Sequence, residues 1–165
     1  MFTPALLLLA KDVLDCAREK QLRIATAESC TGGLIAGLLT EIPGSSDVFE
    51  RGFVVYSNQA KQEMLGVPLR LLDEFGAVSE EVAVVMATGA IEHSRADISV
   101  AVTGVAGPGG GAGDKPVGLV HIAAYRKGNG ATHEAYDFGD IGRTEVRLKT
   151  IEAALRLLLE LFSAE

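Results

Sequence analysis

The sequence predicts one α/β domain over residues 1–165, with a mixed, mostly parallel sheet between two layers of helices. Three observations favour this three-layer fold class. Apolar runs with strand character alternate along the chain with segments whose apolar residues recur at helical spacing. No linker, repeat or low-complexity segment divides the 165 residues, which are enough for one full core. The turn Lys127-Gly128-Asn129-Gly130 predicts a hairpin, so at least one strand pair is antiparallel.

The first half of the chain alternates between the two element types. Leu6, Leu9 and Val13 recur on one face of a helix predicted over residues 4–20. The elements predicted after it are strand 22–27, helix 31–40, strand 52–56 and short helices near 58–65 and 68–75.

The second half begins with a helix predicted over 79–94, for which Ser79 is a suitable N-cap. The elements that follow are strand 97–103, the hairpin strands 117–126 and 132–138, and an amphipathic helix over 142–163. Ligands of such sheets bind beyond the carboxyl ends of the strands. We therefore expect a site at the loops that follow strands 22–27 and 97–103.

Composition limits the possible partners. A formal net charge of −7 and the absence of any Lys/Arg run argue against sequence-independent nucleic-acid binding. The apolar run 6–10 is too short to span a bilayer, and no basic residue precedes it as in a signal peptide, so we expect a cytoplasmic protein without a membrane partner. The two cysteines, Cys16 and Cys30, suggest neither a disulfide framework nor a zinc site. An exposed sheet edge and apolar helices leave room for a homodimer.

A hydroxyl, a thiol and two glycines follow the first predicted strand, in the sequence Glu28-Ser29-Cys30-Thr31-Gly32-Gly33. Ser29 is the hydroxyl best placed to attack a substrate. The backbone N–H groups of the next four residues, ahead of the predicted helix, could bind a phosphate or stabilise an oxyanion. Cys30 is an alternative nucleophile, because a helix N-terminus lowers the pKa of a thiol, but no partner histidine is indicated.

A serine nucleophile needs a base. The three histidines lie in positions that favour a structural interpretation: His93, His121 and His133. Lys61 follows the apolar strand 53–55 and could reach the same site, and it can act as a base if burial lowers its pKa. By spacing alone, a solvated helix lysine is the simpler interpretation.

A second glycine-rich loop, residues 103–111, follows the strand at 97–103. It matches neither a P-loop nor a dinucleotide-binding fingerprint. Thr103 and Gly104 would let the backbone approach a ligand closely. Arg143 and Arg147 lie one turn apart on the last helix, where they could clamp a phosphate or form a solvated face.

Together these segments resemble the C-terminal domain family of the competence/damage-inducible protein CinA, whose enzymatic members are nicotinamide-nucleotide amidases. The matching stretches, in the family's order, are 27–33 (AESCTGG), Tyr56-Ser57-Asn58 with Lys61, Gly76-Ala77-Val78-Ser79, 102–111 (VTGVAGPGGG), Lys115-Pro116-Val117-Gly118, and Phe138-Gly139 with Arg143.

The resemblance implies metal-independent hydrolysis of nicotinamide mononucleotide to nicotinate mononucleotide and ammonia in pyridine nucleotide recycling, with no cofactor. It implies Ser29 as nucleophile, Lys61 as base, and Tyr56 as a group that positions Lys61 or relays a proton. The oxyanion donors would be N–H groups near Cys30 or at Thr103-Gly104. The implied phosphate and ribose contacts are Thr31, Gly32, Gly33, Gly107, Gly109, Gly110 and Arg143.

Many CinA proteins carry a further N-terminal domain associated with pyrophosphatase activity. This chain begins with the helix that leads into the amidase-like domain, so we expect the stand-alone form, without a pyrophosphatase or DNA-uptake role. The alternative function is a non-catalytic nucleotide-binding or regulatory module of the same fold, in which the lysine is solvated.

Overall fold

Five strands form one sheet at the centre of the computed structural model, which describes residues 1–164. The strands are β1 (Ile24–Glu28), β2 (Phe49–Val54), β3 (Ile98–Gly104), β4 (Leu119–Arg126) and β5 (Gly130–Asp137), in the sheet order β2-β1-β3-β4-β5. β1 pairs in parallel with β2 and β3, whereas β4 is antiparallel to β3 and to β5. Four of the five strands therefore run in the same direction, which confirms the mixed, mostly parallel sheet.

Six α-helices cover the two faces of the sheet. They are α1 (Pro4–Lys20), α2 (Leu34–Thr40), α3 (Asn58–Leu65), α4 (Leu69–Phe75), α5 (Glu80–Glu92) and α6 (Arg143–Ser163), with a short 3-10 helix at Ser45–Asp47. Apolar residues of α1, α2 and α6 form the core on one face, and those of α3, α4 and α5 form the core on the other. This arrangement confirms the three-layer fold. None of the helices described is both long and apolar enough to cross a membrane.

The largest differences from the predicted boundaries lie at the starts of α2 and β2. Helix α2 begins at Leu34 rather than at residue 31. Gly32 and Gly33 have φ values of 59° and 97°, a left-handed conformation that is incompatible with an α-helix, so the helix starts only after them. Strand β2 spans Phe49–Val54 rather than 52–56. As an edge strand it includes the half-buried Glu50 and the exposed Arg51, so it has no continuous apolar run over its first residues.

Helix α3 lies very close to α5 at one point. A Cβ atom on Gly89 of α5 would lie 2.1 Å from the carbonyl oxygen of Leu65 at the end of α3. Only glycine fits at this position without displacing α3. Because α3 also carries Lys61, this contact helps to set the distance between that lysine and the sheet.

Candidate active site

A cavity of about 280 Å³ opens where β1, β2 and β3 end, at the position predicted from the strand order. Its volume is close to the lower limit of ~300 Å³ for small-molecule sites. The residues that line it are Ser29, Cys30, Tyr56, Asn58, Lys61, Ala77, Val78, Thr103, Gly104, Val105, Ala106, Gly107, Gly109, Gly110 and Arg143.

Ser29 and Lys61 meet at the base of this cavity. Lys61 Nζ lies 3.0 Å from Ser29 Oγ, and the two residues are 1% and 8% exposed. No carboxylate forms an ion pair with Lys61 among residues 1–164. Burial therefore disfavours the ammonium form and lowers the pKa of Lys61 from its ordinary value of 10.5. The solvated-lysine interpretation is wrong for this position.

The remaining contacts of Lys61 are two backbone carbonyls. Nζ lies 3.0 Å from the oxygen of Val55 and 3.3 Å from that of Tyr56. A neutral amine has two N–H donors and one lone pair. When the two donors bind these carbonyls, the lone pair is left for the hydroxyl of Ser29, which is the arrangement that a general base requires.

The side chain of Tyr56 points to a different partner. Its hydroxyl accepts a hydrogen bond from Arg143 Nη2 at 3.2 Å, and Arg143 Nη1 donates to the carbonyl of Gly107 at 2.8 Å. Tyr56 therefore contacts Lys61 through its main chain, whereas its phenol contacts the guanidinium at the rim of the cavity. Arg143 and the glycine-rich loop thus lie on the same side of the cavity, as the sequence suggested.

The N-terminus of α2 is already occupied by an acidic side chain. The buried carboxylate of Glu28 accepts hydrogen bonds from the N–H groups of Ile35 and Ala36, at 2.8 and 3.0 Å, and from Thr31 Oγ1 at 2.7 Å. This carboxylate replaces the side-chain cap that Gly33 cannot provide.

The turn at residues 31–33 consequently differs from what the sequence suggested. Thr31, Gly32 and Gly33 do not line the cavity, so a phosphate contact at this turn is not supported. Arg147 does not line it either. Its Nε donates to the carbonyl of Cys30 and its Nη2 to that of Thr31, both at 3.1 Å. Of the two arginines that could clamp a phosphate or form a solvated face, Arg143 alone lines the cavity.

Backbone N–H groups near Ser29 could stabilise the oxyanion that forms when Ser29 attacks a carbonyl carbon. In residues 1–164, no backbone carbonyl accepts the N–H of Cys30, which directly follows Ser29. Thr103 and Gly104 line the cavity, although the hydroxyl of Thr103 donates to the carbonyl of Ala77 at 2.9 Å. The N–H of Cys30 is thus one candidate donor to an oxyanion formed at Ser29.

The thiol of Cys30 has the opposite character to the one expected at a helix terminus. Cys30 is 5% exposed, and burial raises the pKa of its thiol to about 11. The nearby carboxylate of Glu28 acts in the same direction. A thiol that stays protonated at neutral pH is a poor nucleophile, so the thiol-dependent alternative is not supported.

The histidines lie outside this cavity. His121 and His133 contact each other, with 2.9 Å between Nδ1 and Nε2, and His93 Nδ1 lies 2.8 Å from the carbonyl oxygen of Gly89. Within the described chain, no group of three or more His, Cys, Asp or Glu side chains is arranged to hold a metal ion.

Sequence reasoning missed residues that act through the backbone. Glu28 binds main-chain N–H groups at the start of α2, and Arg147 binds main-chain carbonyls of the turn after Ser29; no spacing pattern reveals either role. Asn58, Ala77 and Val78 line the cavity and belong to stretches on which the family resemblance rests. Those stretches were the available signal for them.

Comparison with known proteins agrees with the fold and with the motifs. The family model of the CinA C-terminal domain matches residues 7–162. A CinA-like protein of Geotalea uraniireducens is 53% identical over 158 residues, and one of Akkermansia muciniphila is 53% identical over 133 residues. These matches cover 93% and 80% of this chain. The chain spans only about a third of the length of these curated relatives, 37% and 32% respectively.

Solved structures match over nearly the whole chain. The competence/damage inducible protein CihA from Agrobacterium tumefaciens has a TM-score of 0.95 and 52% identity, covering 98% of both chains. A CinA superfamily protein from Escherichia coli has a TM-score of 0.90 and 36% identity, covering 98% of this chain and 94% of its own. The chain belongs to the CinA C-terminal domain family.

Proposed function

We propose that this protein is an amidase that converts nicotinamide mononucleotide to nicotinate mononucleotide and ammonia. The observation that carries the proposal is the buried Ser29–Lys61 pair, in which Nζ and Oγ are 3.0 Å apart at the base of a cavity. Membership of the CinA C-terminal domain family supports it, because the enzymatic members that the sequence resembles have this activity.

In the first half of the reaction, Ser29 forms an ester with the substrate. Neutral Lys61 accepts the proton of the Ser29 hydroxyl as Oγ attacks the amide carbon. The carbonyl oxygen becomes an oxyanion, to which the N–H of Cys30 can donate; losing one such donor typically costs ~3–4 kcal/mol of barrier stabilisation. The C–N bond then breaks, and protonated Lys61 returns its proton to the leaving nitrogen, which departs as ammonia.

In the second half, water replaces the leaving amine. Lys61, neutral again, accepts a proton from water as its oxygen attacks the ester carbon. The ester bond to Ser29 breaks, Oγ regains the proton from Lys61, and the carboxylic acid product gives its remaining proton to solvent and leaves as the carboxylate. Each half uses the same lysine once as base and once as acid, so a pKa below the ordinary value serves both steps.

Binding of the phosphate and ribose is assigned to the rim of the cavity. Arg143 lines it and presents a guanidinium, which suits a phosphate through paired hydrogen bonds. Gly107, Gly109 and Gly110 line the same rim and leave their backbone accessible. This assignment favours the mononucleotide over its riboside.

The first test measures ammonia release from nicotinamide mononucleotide by chelator-treated protein. We expect Ser29→Ala and Lys61→Met to lower kcat by about 1000-fold or more. Ser163→Ala and Lys20→Met, which change an exposed serine and an exposed lysine, serve as matched controls. A folded wild-type protein that binds the nucleotide without releasing ammonia would instead support the non-catalytic binding module.

The second test addresses the phosphate. We expect the wild type to prefer the mononucleotide to the riboside in kcat/KM, and Arg143→Gln to reduce this preference mainly by raising the KM of the mononucleotide. An unchanged preference in Arg143→Gln would remove Arg143 from the phosphate site while leaving the chemistry at Ser29 untouched.

A further inference from the structure

We propose that Arg147 is a positioning residue, which holds the turn after β1 so that Ser29 Oγ stays beside Lys61 and the N–H of Cys30 stays available to the oxyanion. This inference rests on the proposed amidase function. It assigns to Arg147 no contact with the substrate, because Arg147 does not line the cavity.

Arg147 binds two consecutive carbonyls of the turn. Nε donates to Cys30 and Nη2 to Thr31, each at 3.1 Å, from a half-buried position on α6, 117 residues along the chain from Cys30. Two parallel donors on a planar group fix both the position and the orientation of the acceptor peptides. The carbonyl that Nε binds belongs to Cys30, the residue whose N–H is the proposed oxyanion donor.

Glu28 holds the same turn from its other side. Its carboxylate accepts the N–H groups of Ile35 and Ala36 and the hydroxyl of Thr31. Thr31 is thus held twice, through its hydroxyl by Glu28 and through its carbonyl by Arg147. The Glu28 carboxylate accepts hydrogen bonds and the Arg147 guanidinium donates them, so the two side chains bind different groups of this segment and form no ion pair with each other.

The turn needs such external support. Gly32 and Gly33 have positive φ values, and glycine loses more backbone freedom on folding than any other residue. Helix α2 has no side-chain hydrogen bond from its own N-cap residue. Without Arg147, the carbonyl of Cys30 would lose its hydrogen bond, whereas that of Thr31 would keep the one from the N–H of Leu34 at 3.1 Å. We expect the freed Cys30 peptide to turn towards water and Ser29 to move with it. A displacement of about 1 Å at a reacting group can lower a rate about 100-fold.

The test uses the full chain with three arginine variants. Arg147→Gln removes both the charge and the pair of guanidinium donors, whereas Arg147→Lys keeps the charge but not the paired donors. Arg156→Gln removes an exposed guanidinium from the same helix and is the matched control. For each protein, three quantities are measured: kcat and KM for nicotinamide mononucleotide, the thermal midpoint Tm, and the rate at which phenylmethylsulfonyl fluoride modifies Ser29, followed by intact mass. The Kd of the nucleotide is measured for each variant in a Ser29→Ala background.

We expect Arg147→Gln to lower kcat and the Ser29 modification rate together by about 10- to 100-fold, with KM and the background Kd unchanged. Arg147→Lys should retain the wild-type Tm and still react slowly, because one ammonium cannot reproduce two fixed donors. Arg156→Gln should match the wild type in every measurement.

The possible failures are distinguishable. A large rise in KM and Kd with unchanged Ser29 modification would make Arg147 a binding residue and overturn the inference. Wild-type reactivity in both Arg147 variants would also overturn it, as would a loss that follows Tm alone and is fully restored by Arg147→Lys. If the wild type releases no ammonia but its Ser29 is modified faster than in the variants, the amidase proposal fails while the positioning role stands. A wild type that releases no ammonia and whose Ser29 does not react with the sulfonyl fluoride overturns both.

Discussion

The hydroxyl of Tyr56 accepts a hydrogen bond from Arg143 at 3.2 Å, while the backbone carbonyl of the same tyrosine lies 3.3 Å from Lys61 Nζ. One residue thus contacts the rim of the cavity through its side chain and the proposed base through its main chain. A substitution of the side chain separates these two contacts.

Tyr56→Phe should therefore affect binding rather than proton transfer. Arg143 keeps its hydrogen bond to the carbonyl of Gly107 and loses the one to the Tyr56 hydroxyl, a bond that typically contributes about 0.5–1.5 kcal/mol. We therefore expect KM to rise about 2- to 10-fold with little change in kcat. Steady-state kinetics across pH measures both effects, with Tyr136→Phe, outside the cavity, as the control. A large loss of kcat with a changed pH profile would instead make the phenol a proton relay.

Activity should fall as pH is lowered. Because burial lowers the pKa of Lys61 below 10.5, a larger fraction of the amine is neutral at a given pH than for a solvated lysine. A plot of log kcat/KM against pH should bend at an apparent pKa below 10.5 and decline below it with a slope near 1. A bend at the ordinary lysine value would contradict the role of a buried base.

Stability should depend on pH through the same lysine. Between its lowered pKa in the folded protein and 10.5 in the unfolded chain, the unfolded chain binds more protons, so the free energy of unfolding rises as pH rises through this window. Below the window the full penalty for burying the lysine is present, and above it the penalty is gone.

Lys61→Met tests this linkage by urea unfolding at several pH values. The variant should gain stability relative to the wild type near neutral pH, and the difference should shrink as pH approaches 10.5. Lys20→Met, which changes an exposed lysine, is the matched control. A constant difference for Lys61→Met would mean that the folded protein does not lower the pKa of Lys61.

Removal of the Cys30 thiol should leave the reaction intact. Its pKa of about 11 keeps it protonated at neutral pH, so Cys30→Ala should retain most of kcat while losing about 1 kcal/mol of stability from a buried position. Iodoacetamide should not inactivate the wild type at neutral pH, and Cys16→Ala is the matched control. Rapid inactivation that Cys30→Ala abolishes would restore the thiol alternative.

The contact between α3 and α5 should be intolerant of even one methyl group. Gly89→Ala places a Cβ 2.1 Å from the carbonyl oxygen of Leu65, so we expect a loss of about 1–3 kcal/mol in the free energy of unfolding. Its kcat should also fall, because α3 carries Lys61. Gly37→Ala on α2 meets no atom within 4 Å and should gain up to about 1 kcal/mol from helix propensity. Equal effects at the two glycines would contradict this account.

Local patterns were sufficient to predict the order of elements and the end of the sheet at which the cavity lies. Alternating apolar runs predicted β1 and β3, and the glycine-asparagine turn predicted the antiparallel β4–β5 pair. Ser29 and Thr103 were located because each lies at or just beyond the end of a buried strand, where side chains of neighbouring parallel strands meet.

Contacts with the backbone could not be predicted in this way. Lys61 has the spacing of a solvated helix residue, and its burial depends on how α3 packs beneath the end of β2. Glu28 and Arg147 bind peptide groups, and every residue has a peptide group, so no residue type marks the partner. The sequence did not show that the carboxylate of Glu28 on β1 accepts hydrogen bonds from the N–H groups of Ile35 and Ala36, so the phosphate contact at residues 31–33 was predicted without this neighbouring charge.

The two carbonyls that accept hydrogen bonds from Lys61 belong to Val55 and Tyr56, in the same short segment that leads from β2 into α3. The lysine therefore carries most of its hydrogen-bond acceptors on its own segment. Ser29, in contrast, donates its N–H to the carbonyl of Val102 on β3, and the next residue, Cys30, is bound by Arg147 of α6. A shift of one segment against the other would lengthen the distance between Nζ and Oγ while leaving the acceptors of the lysine in place. The strength of the base and the alignment of the pair are for this reason two separately adjustable properties of the fold.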